Sequence, residues 1–450
     1  MKGPCAKESV AFLALLSLAA CEEVEQVQDR FRDLTPYEAY ESSLAAAGLA
    51  ETALGREWVN AGRSAVEAAA PISLPFEEQG YIAPEAPGAM AYRMSVQRGQ
   101  RLTAEVSVST DEGTRVFVDL FRVPADPGDQ HRPIVSTDSL PGQFTHEPWR
   151  DGEFILRLQP ELLRGGHYTV SLKLEAQLAF PVAGYNVRAV QSVFGDPRDA
   201  GRRSHHGVDI FAQRGTPVLA AVPGRVRRVR VTGLGGKVVW LRDPVRNANL
   251  YYAHLDSQAV VDGQEVQIGD TLGFVGNTGN ARTTPPHLHF GVYVRGEGPV
   301  DPYPFLNPPS GVLAELEADV TRLGQWVRLS DGAIRLRAAP GSDAPVIREL
   351  PQHTALRVLG GSGGYFRVRL PDGGNGYVAA HLTEPLDEPV ASEVAAAGGL
   401  VFMRPHHGAP IVATLGEGDQ VPVLGRYGAY LYVRAPSGFV GWMGAESQQD

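Results

Sequence analysis

Pro286-His287-Leu288-His289-Phe290 reads as a β-strand whose two faces differ in kind. Successive side chains of a strand point to opposite sides, so His287 and His289 share one pocket while Leu288 and Phe290 enter a core. Two imidazoles on one face are either ordinary surface or core histidines or part of a metal site, and other ligands must converge to decide between them. Five of the twelve histidines, His205, His206, His254, His287 and His289, fall between residues 205 and 289. In Ser204-His205-His206-Gly207-Val208-Asp209-Ile210, an imidazole and a carboxylate four residues apart bracket a glycine that permits a tight backbone path. Joined by His289, His205 and Asp209 give two nitrogens and one oxygen around one ion, with a fourth position left for water. Three protein ligands and an open site is the catalytic zinc pattern, and Zn2+ is favoured by ligand type. His206 reads as a neighbouring polar residue.

Around this stretch, short strands are expected at Val226 to Val231, Lys237 to Leu241, Leu250 to His254, Thr271 to Val275 and Leu288 to Val294, separated by glycine- and proline-bearing turns. By parity Tyr252 and His254 share a face. Gly233-Leu234-Gly235-Gly236-Lys237 lacks the spacing and the following Ser or Thr of a phosphate loop, and reads as a hairpin turn.

Phe194-Gly195-Asp196-Pro197-Arg198, His205-x-Gly-x-Asp209, Tyr252-Ala253-His254-Leu255, Gly276-Asn277-Thr278-Gly279 and His287-Leu288-His289-Phe290 occur in the order and spacing of the lysostaphin-type (M23) zinc metallopeptidases. The resemblance covers residues 186–308. It implies metal ligation by His205, Asp209 and His289, and a catalytic pair of His254 and His287. Gly291 stands where many members of that family carry Glu, which removes a partner for the ligand shell without removing a ligand.

Beyond residue 325 a pattern repeats at a fixed offset: Pro345-Val346, Leu350, Val358-Leu359-Gly360, Tyr365, Val368-Arg369, Pro371 and Gly376-Tyr377 recur as Pro410-Ile411, Leu415, Val423-Leu424-Gly425, Tyr430, Val433-Arg434, Pro436 and Gly441-Trp442. Each unit, at residues 326–386 and 398–447, resembles a bacterial SH3-like domain, which implies cell-wall peptide binding or packing against a catalytic domain. Residues 309–325 read as a short helical linker.

Upstream, residues 72–178 alternate apolar and polar positions at Leu102 to Val108, Val116 to Leu120, Phe154 to Leu158 and Tyr168 to Leu174, which predicts an antiparallel β-sandwich. Its texture resembles the jelly-roll domains beside secreted bacterial peptidases. Residues 21–71 are Ala- and Glu-rich, with Thr35-Pro36 as a helix start, and read as a helical spacer. Residues 1–20, with Lys2 and Lys7 before the apolar run Val10 to Ala20, read as a signal peptide. Leu18-Ala19-Ala20-Cys21 resembles a bacterial lipobox, which implies lipidation at Cys21. Glu22, rather than Asp, after the cysteine implies outer-membrane attachment facing the periplasm.

Composition agrees with a mainly β, multidomain chain: 450 residues, 51 Gly and 34 Pro. The two cysteines, Cys5 and Cys21, both lie at the N-terminus, so no disulfide staples the body. A formal net charge of -10 argues against nucleic acid as a partner. The expected function is zinc-dependent endopeptidase action on peptidoglycan stems or cross-links. The alternative is a non-catalytic wall-binding activator or scaffold for another peptidoglycan hydrolase. The sequence leaves the oligomeric state unread.

Overall fold

The computed structural model describes residues 34–445 apart from 110–113, 127, 130, 139–141, 199–200 and 397. Cys21 and the expected signal peptide lie outside the described residues. The chain is built mainly of β-sheets, with two helices at its start, Pro36–Ala46 and Ala53–Glu67. Thr35 caps the first helix through a capping box with Glu38, and Pro36 occupies the first turn, where its missing N–H costs nothing. These helices are not a free spacer. Trp58 is buried and donates its indole N–H to the Pro160 carbonyl at 2.8 Å, and the Arg157 guanidinium lies 3.6 Å from the centre of the Tyr37 ring. The amphipathic second helix therefore closes the outer face of the sheet behind it.

That sheet has five strands, ordered Ala70–Pro71, Met90–Val96, Gly152–Pro160, Val116–Arg122 and Pro133–Thr137. It faces a second layer holding Phe76–Ile82, Gly166–Ala176, Gln100–Ser109 and Gly142–His146, and Tyr92, Leu102, Leu156 and Leu172 fill the space between them. The second layer does not end at its edge strand. Gln79 and Gly80 pair antiparallel with Gly361 and Gly360, so the sheet runs on into the first C-terminal unit and reaches eleven strands.

A buried polar knot sits under that seam. Glu78 is fully buried and accepts hydrogen bonds from the hydroxyls of Tyr92, Tyr168 and Tyr377 at 2.7, 2.6 and 2.7 Å, with the Arg367 guanidinium at 3.4 Å. Removing one member of such a group leaves the others buried without partners. Glu78→Ala is expected to destabilise the protein by about 3–5 kcal/mol, and Glu78→Gln by less. Urea unfolding checks this, and an unshifted midpoint for the alanine variant would contradict it.

Residues 307–319 carry no helix. Glu317 and Ala318 donate their backbone N–H groups to the Gly363 carbonyl, and Leu316 and Ala318 pack on the core of the first C-terminal unit. Docking thus overrides a helix-forming composition. In the two C-terminal units the repeated sequence gives repeated strand order: Val346–Leu350, Ile334–Arg337, Asn375–Ala379, Tyr365–Arg369 and Ala355–Ser362 in one, and Ile411–Thr414, Leu400–Phe402, Val440–Gly444, Tyr430–Arg434 and Gln420–Tyr427 in the other. Trp326, Tyr432 and Trp442 pack where the two units meet.

Between these parts in sequence comes an eight-stranded sheet whose central strands are Val208–Phe211, His287–Val294, Ala248–Leu255, Gly236–Asp243 and Gly224–Thr232. One face carries a core of Ile210, Leu250, Tyr252, Leu288, Phe290 and Val292. The other face lines an open cleft.

Candidate metal centre

The strand His287–Val294 carries the alternation that its sequence predicts. Leu288 and Phe290 are fully buried in the core, and His287 and His289 face the cleft. Asp209 is placed by register: it pairs directly with His289, so the carboxylate and imidazole emerge side by side. His205 reaches the same point from the turn before that strand. A Cβ at Gly207 would stand 2.4 Å from the Phe290 carbonyl and 2.8 Å from the His289 ring, so only glycine lets the turn pass.

His205 Nε2, Asp209 Oδ1 and His289 Nδ1 lie 2.9–3.0 Å from one another. The structure therefore brings all three candidate ligands together, with one donor atom of each turned inward. His205 donates its other ring nitrogen, Nδ1, to the Val193 carbonyl at 2.8 Å, which leaves Nε2 as the lone-pair nitrogen facing the group. Burial alone would raise the Asp209 pKa, but hydrogen bonds and positive charge from His205 and His289 hold it well below the usual carboxylate range. Two nitrogens and one oxygen converging at this spacing fit a divalent cation, and the absence of thiolate fits an open rather than a closed zinc site.

The second oxygen of Asp209 is also spoken for. Arg198 Nη2 donates to Oδ2 at 2.7 Å and to Ser192 Oγ at 2.6 Å, and Ser192 in turn donates to Asp196 at 2.8 Å. Asp209 thus turns Oδ1 towards the histidines while Oδ2 is held from behind. The stretch Phe194 to Arg198 supplies this support, a role that its sequence does not disclose.

His254 and His287 stand beside the ligand group, their ring centres 5.1 Å apart. Each is anchored through Nδ1, to the Thr278 carbonyl and the Pro285 carbonyl respectively, both at 2.9 Å, so each presents Nε2 to the cleft. Burial, and then the neighbouring His289 and His287, lower the His254 pKa to about 4. His254 is therefore neutral at pH 7, a proton acceptor and not a cation.

Strand parity misplaces the neighbours of His254. Tyr252 points into the core, where its hydroxyl accepts from the Ala221 N–H at 3.0 Å, and Tyr251 lines the cleft instead. His254 nevertheless reaches the site because its backbone is left-handed, with φ of +62°, which breaks the alternation. The Gly233 to Lys237 hairpin supports it: the His254 N–H donates to the Gly235 carbonyl at 2.8 Å. His206 stays outside the ligand group, near Phe194 at the cleft wall. The cleft encloses about 930 Å3, with Arg198, Arg202 and Arg203 on one wall and Trp240, Tyr251 and Tyr293 on the sheet face.

The sequence profile described as Peptidase family M23 matches residues 203–302, and that of the bacterial SH3 domain matches residues 331–384. The L-Ala–D-Glu endopeptidase of Bacillus subtilis is 38% identical over 139 residues, which cover 28% of this chain and 42% of that protein. The peptidoglycan DD-endopeptidase ShyC of Vibrio cholerae is 34% identical over 117 residues, covering 25% of this chain and 24% of its own length. Less than half of either curated relative is therefore spanned. The catalytic domain of the antimicrobial peptidase lysostaphin from Staphylococcus simulans is 32% identical, with 25% of this chain and 88% of that one covered and a TM-score of 0.24. The chain accordingly carries a domain of peptidase family M23 at residues 203–302 and a bacterial SH3 domain at residues 331–384.

Proposed function

We propose that this protein is a zinc-dependent endopeptidase that hydrolyses peptide bonds of peptidoglycan stems or cross-links. The observation that carries this reading is the convergence of five side chains, three with a donor atom turned to one point and two with Nε2 facing the same cleft. His205, Asp209 and His289 would hold the zinc of this family. Zinc held there would supply Lewis acidity, which polarises a carbonyl and lowers the pKa of water to about 7.

The protein's own groups do the rest. His254 and His287 each present Nε2 to the cleft: one accepts the proton of the attacking water, and a ring protonated on Nε2 in this way can then donate that proton to the developing oxyanion or to the leaving amine. Their Nδ1 anchors fix tautomer and ring orientation before substrate arrives, which avoids reorganisation during reaction. Arg198 holds Asp209 against rotation.

Purified zinc-loaded protein incubated with sacculi is expected to release new amino termini. No release from several wall chemistries would sink the peptidase reading and leave the activator or scaffold reading in its place.

The bacterial SH3 match and the repeated strand order support reading both C-terminal units as SH3-like modules that hold the enzyme at the wall or brace it. The lipobox-like Leu18-Ala19-Ala20-Cys21 and the following Glu22 support an outer-membrane lipoprotein facing the periplasm. Cys21→Ser is expected to move the protein from the membrane to the soluble fraction on cell fractionation; unchanged partitioning would count against the lipid anchor.

A further inference from the structure

Three aromatic rings meet on the cleft face of the eight-stranded sheet, next to the metal-binding group. Trp240 pairs across strands with Tyr251; Tyr251 pairs with Gly291 two residues along from the Ala253–His289 pair, and Asn249 with Tyr293 four residues along. The Trp240 ring centre lies 4.4 Å from that of Tyr251 and 5.1 Å from that of Tyr293, and Tyr251 lies 5.8 Å from His289. All three are half-buried and line the cleft, while the opposite face of the same strands already carries the core.

The aromatic cluster packs closely around Gly291. A Cβ at Gly291 would stand 3.0 Å from the Tyr293 ring and 3.0 Å from the His206 carbonyl. A longer side chain there would have to push Tyr293 aside. Around that glycine Tyr293 stands edge-on to Tyr251, their ring planes at 90°, and both are tilted against Trp240, so the three rings form a bent aromatic surface that reaches the ligand His289.

The chemistry of the surroundings narrows the occupant. The ring faces are electron-rich and would attract a cation, but a divalent metal bound beside them, with Arg198, Arg202 and Arg203 lining the same cleft, opposes one. Burial keeps Tyr251 and Tyr293 protonated at neutral pH, so the surface is uncharged. What such a surface accepts is a broad, neutral face of weakly polarised C–H groups. Within peptidoglycan that description fits the pyranose ring of the glycan, not the short alanine side chains of the stem.

We propose that Trp240, Tyr251 and Tyr293, brought together over Gly291, form a saccharide subsite that stacks a pyranose ring of the glycan to which the scissile stem is joined. This rests on the peptidase reading and deepens it. An extended chain advances about 3.3–3.6 Å per residue, and only 5.8 Å separates Tyr251 from His289. The bond cut therefore lies within the first two or so residues of the stem, close to the sugar, and not at its far cross-linked end.

The test compares zinc-loaded wild type on a disaccharide-linked tetrapeptide and on the same tetrapeptide freed of its sugar. The sugar-linked substrate is expected to have a kcat/KM about tenfold higher, expressed in KM, and its glycan product to retain one or two stem residues by mass spectrometry. In Trp240→Ala and Tyr293→Ala the preference should fall to near one, and Tyr293→Phe should restore it. Equal use of both substrates by wild type, a preference that survives both alanine variants, or cleavage at the far end of the stem would overturn the subsite. Hydrolysis of neither substrate by protein that still releases new amino termini from sacculi would overturn the subsite and leave the peptidase reading standing, whereas no release from sacculi either would overturn both. The wild-type comparison stands whether or not any variant folds.

Discussion

Asp209→Ala is expected to lose zinc and, with it, peptidoglycan hydrolysis down to background. Loss of a supporting residue behind a ligand typically costs 10–100-fold in metal affinity, and loss of one of three ligands should cost more than that. Asp209 is the member whose removal is felt twice. Its Oδ1 is a ligand atom, 3.0 Å from both His205 Nε2 and His289 Nδ1, and its negative charge is the counter-charge within the group. Without it the two imidazoles remain, facing Arg198. The fold should survive, because Arg198 is a third exposed and can regain water once its partner is gone. Elemental analysis after dialysis, with circular dichroism as the folding control, checks the expectation. Stoichiometric zinc in a folded Asp209→Ala protein would refute the ligand assignment.

The second large effect separates proton handling from metal binding. His287→Ala and His254→Asn should each retain zinc and lose about 10²–10⁴-fold in kcat. Asparagine is the better replacement at 254 because φ there is +62°, a conformation that Asn adopts more readily than Ala. A kcat within threefold of wild type for either variant would remove that histidine from the reaction. Loss of zinc from either would mean that the two roles are not separable. The low His254 pKa sets the sign of a pH test. A histidine lowered to about 4 remains neutral down to that pH, so an acid limb falling near pH 6.5 would belong to a group other than His254.

Much of the site was legible because it rests on period-two alternation and short spacings. His287, Leu288, His289 and Phe290 sort onto two faces as a strand must, and the glycine between His205 and Asp209 marks a turn that brings them to the third ligand. The same reasoning failed at His254. One left-handed residue reverses parity, and nothing in Tyr251-Tyr252-Ala253-His254 announces it. Trp240, Tyr251 and Tyr293 lie on three neighbouring strands, and only the register that sets those strands side by side brings the rings together. Arg198 was visible only as part of a family pattern, since its ionic partner is eleven positions away and across a hairpin. The linker misled through composition, its Ala, Glu and Leu being helix formers that docking holds extended. Least legible was the join between Gln79-Gly80 and Gly360-Gly361, because backbone pairing at a sheet edge asks nothing distinctive of side chains.

That join has a consequence for how the molecule folds. Strand pairing between residues 79–80 and 360–361 closes a loop that contains the whole peptidase domain. Loop-closure entropy grows only slowly with length, so the finished contact is affordable, but contacts between distant parts of a chain form late. The first C-terminal unit can therefore reach the sandwich only after its own strands exist, and the Phe76–Ile82 edge must wait uncovered until then. During that interval the edge is open to pairing with another chain, which makes correct assembly a race between intramolecular docking and self-association.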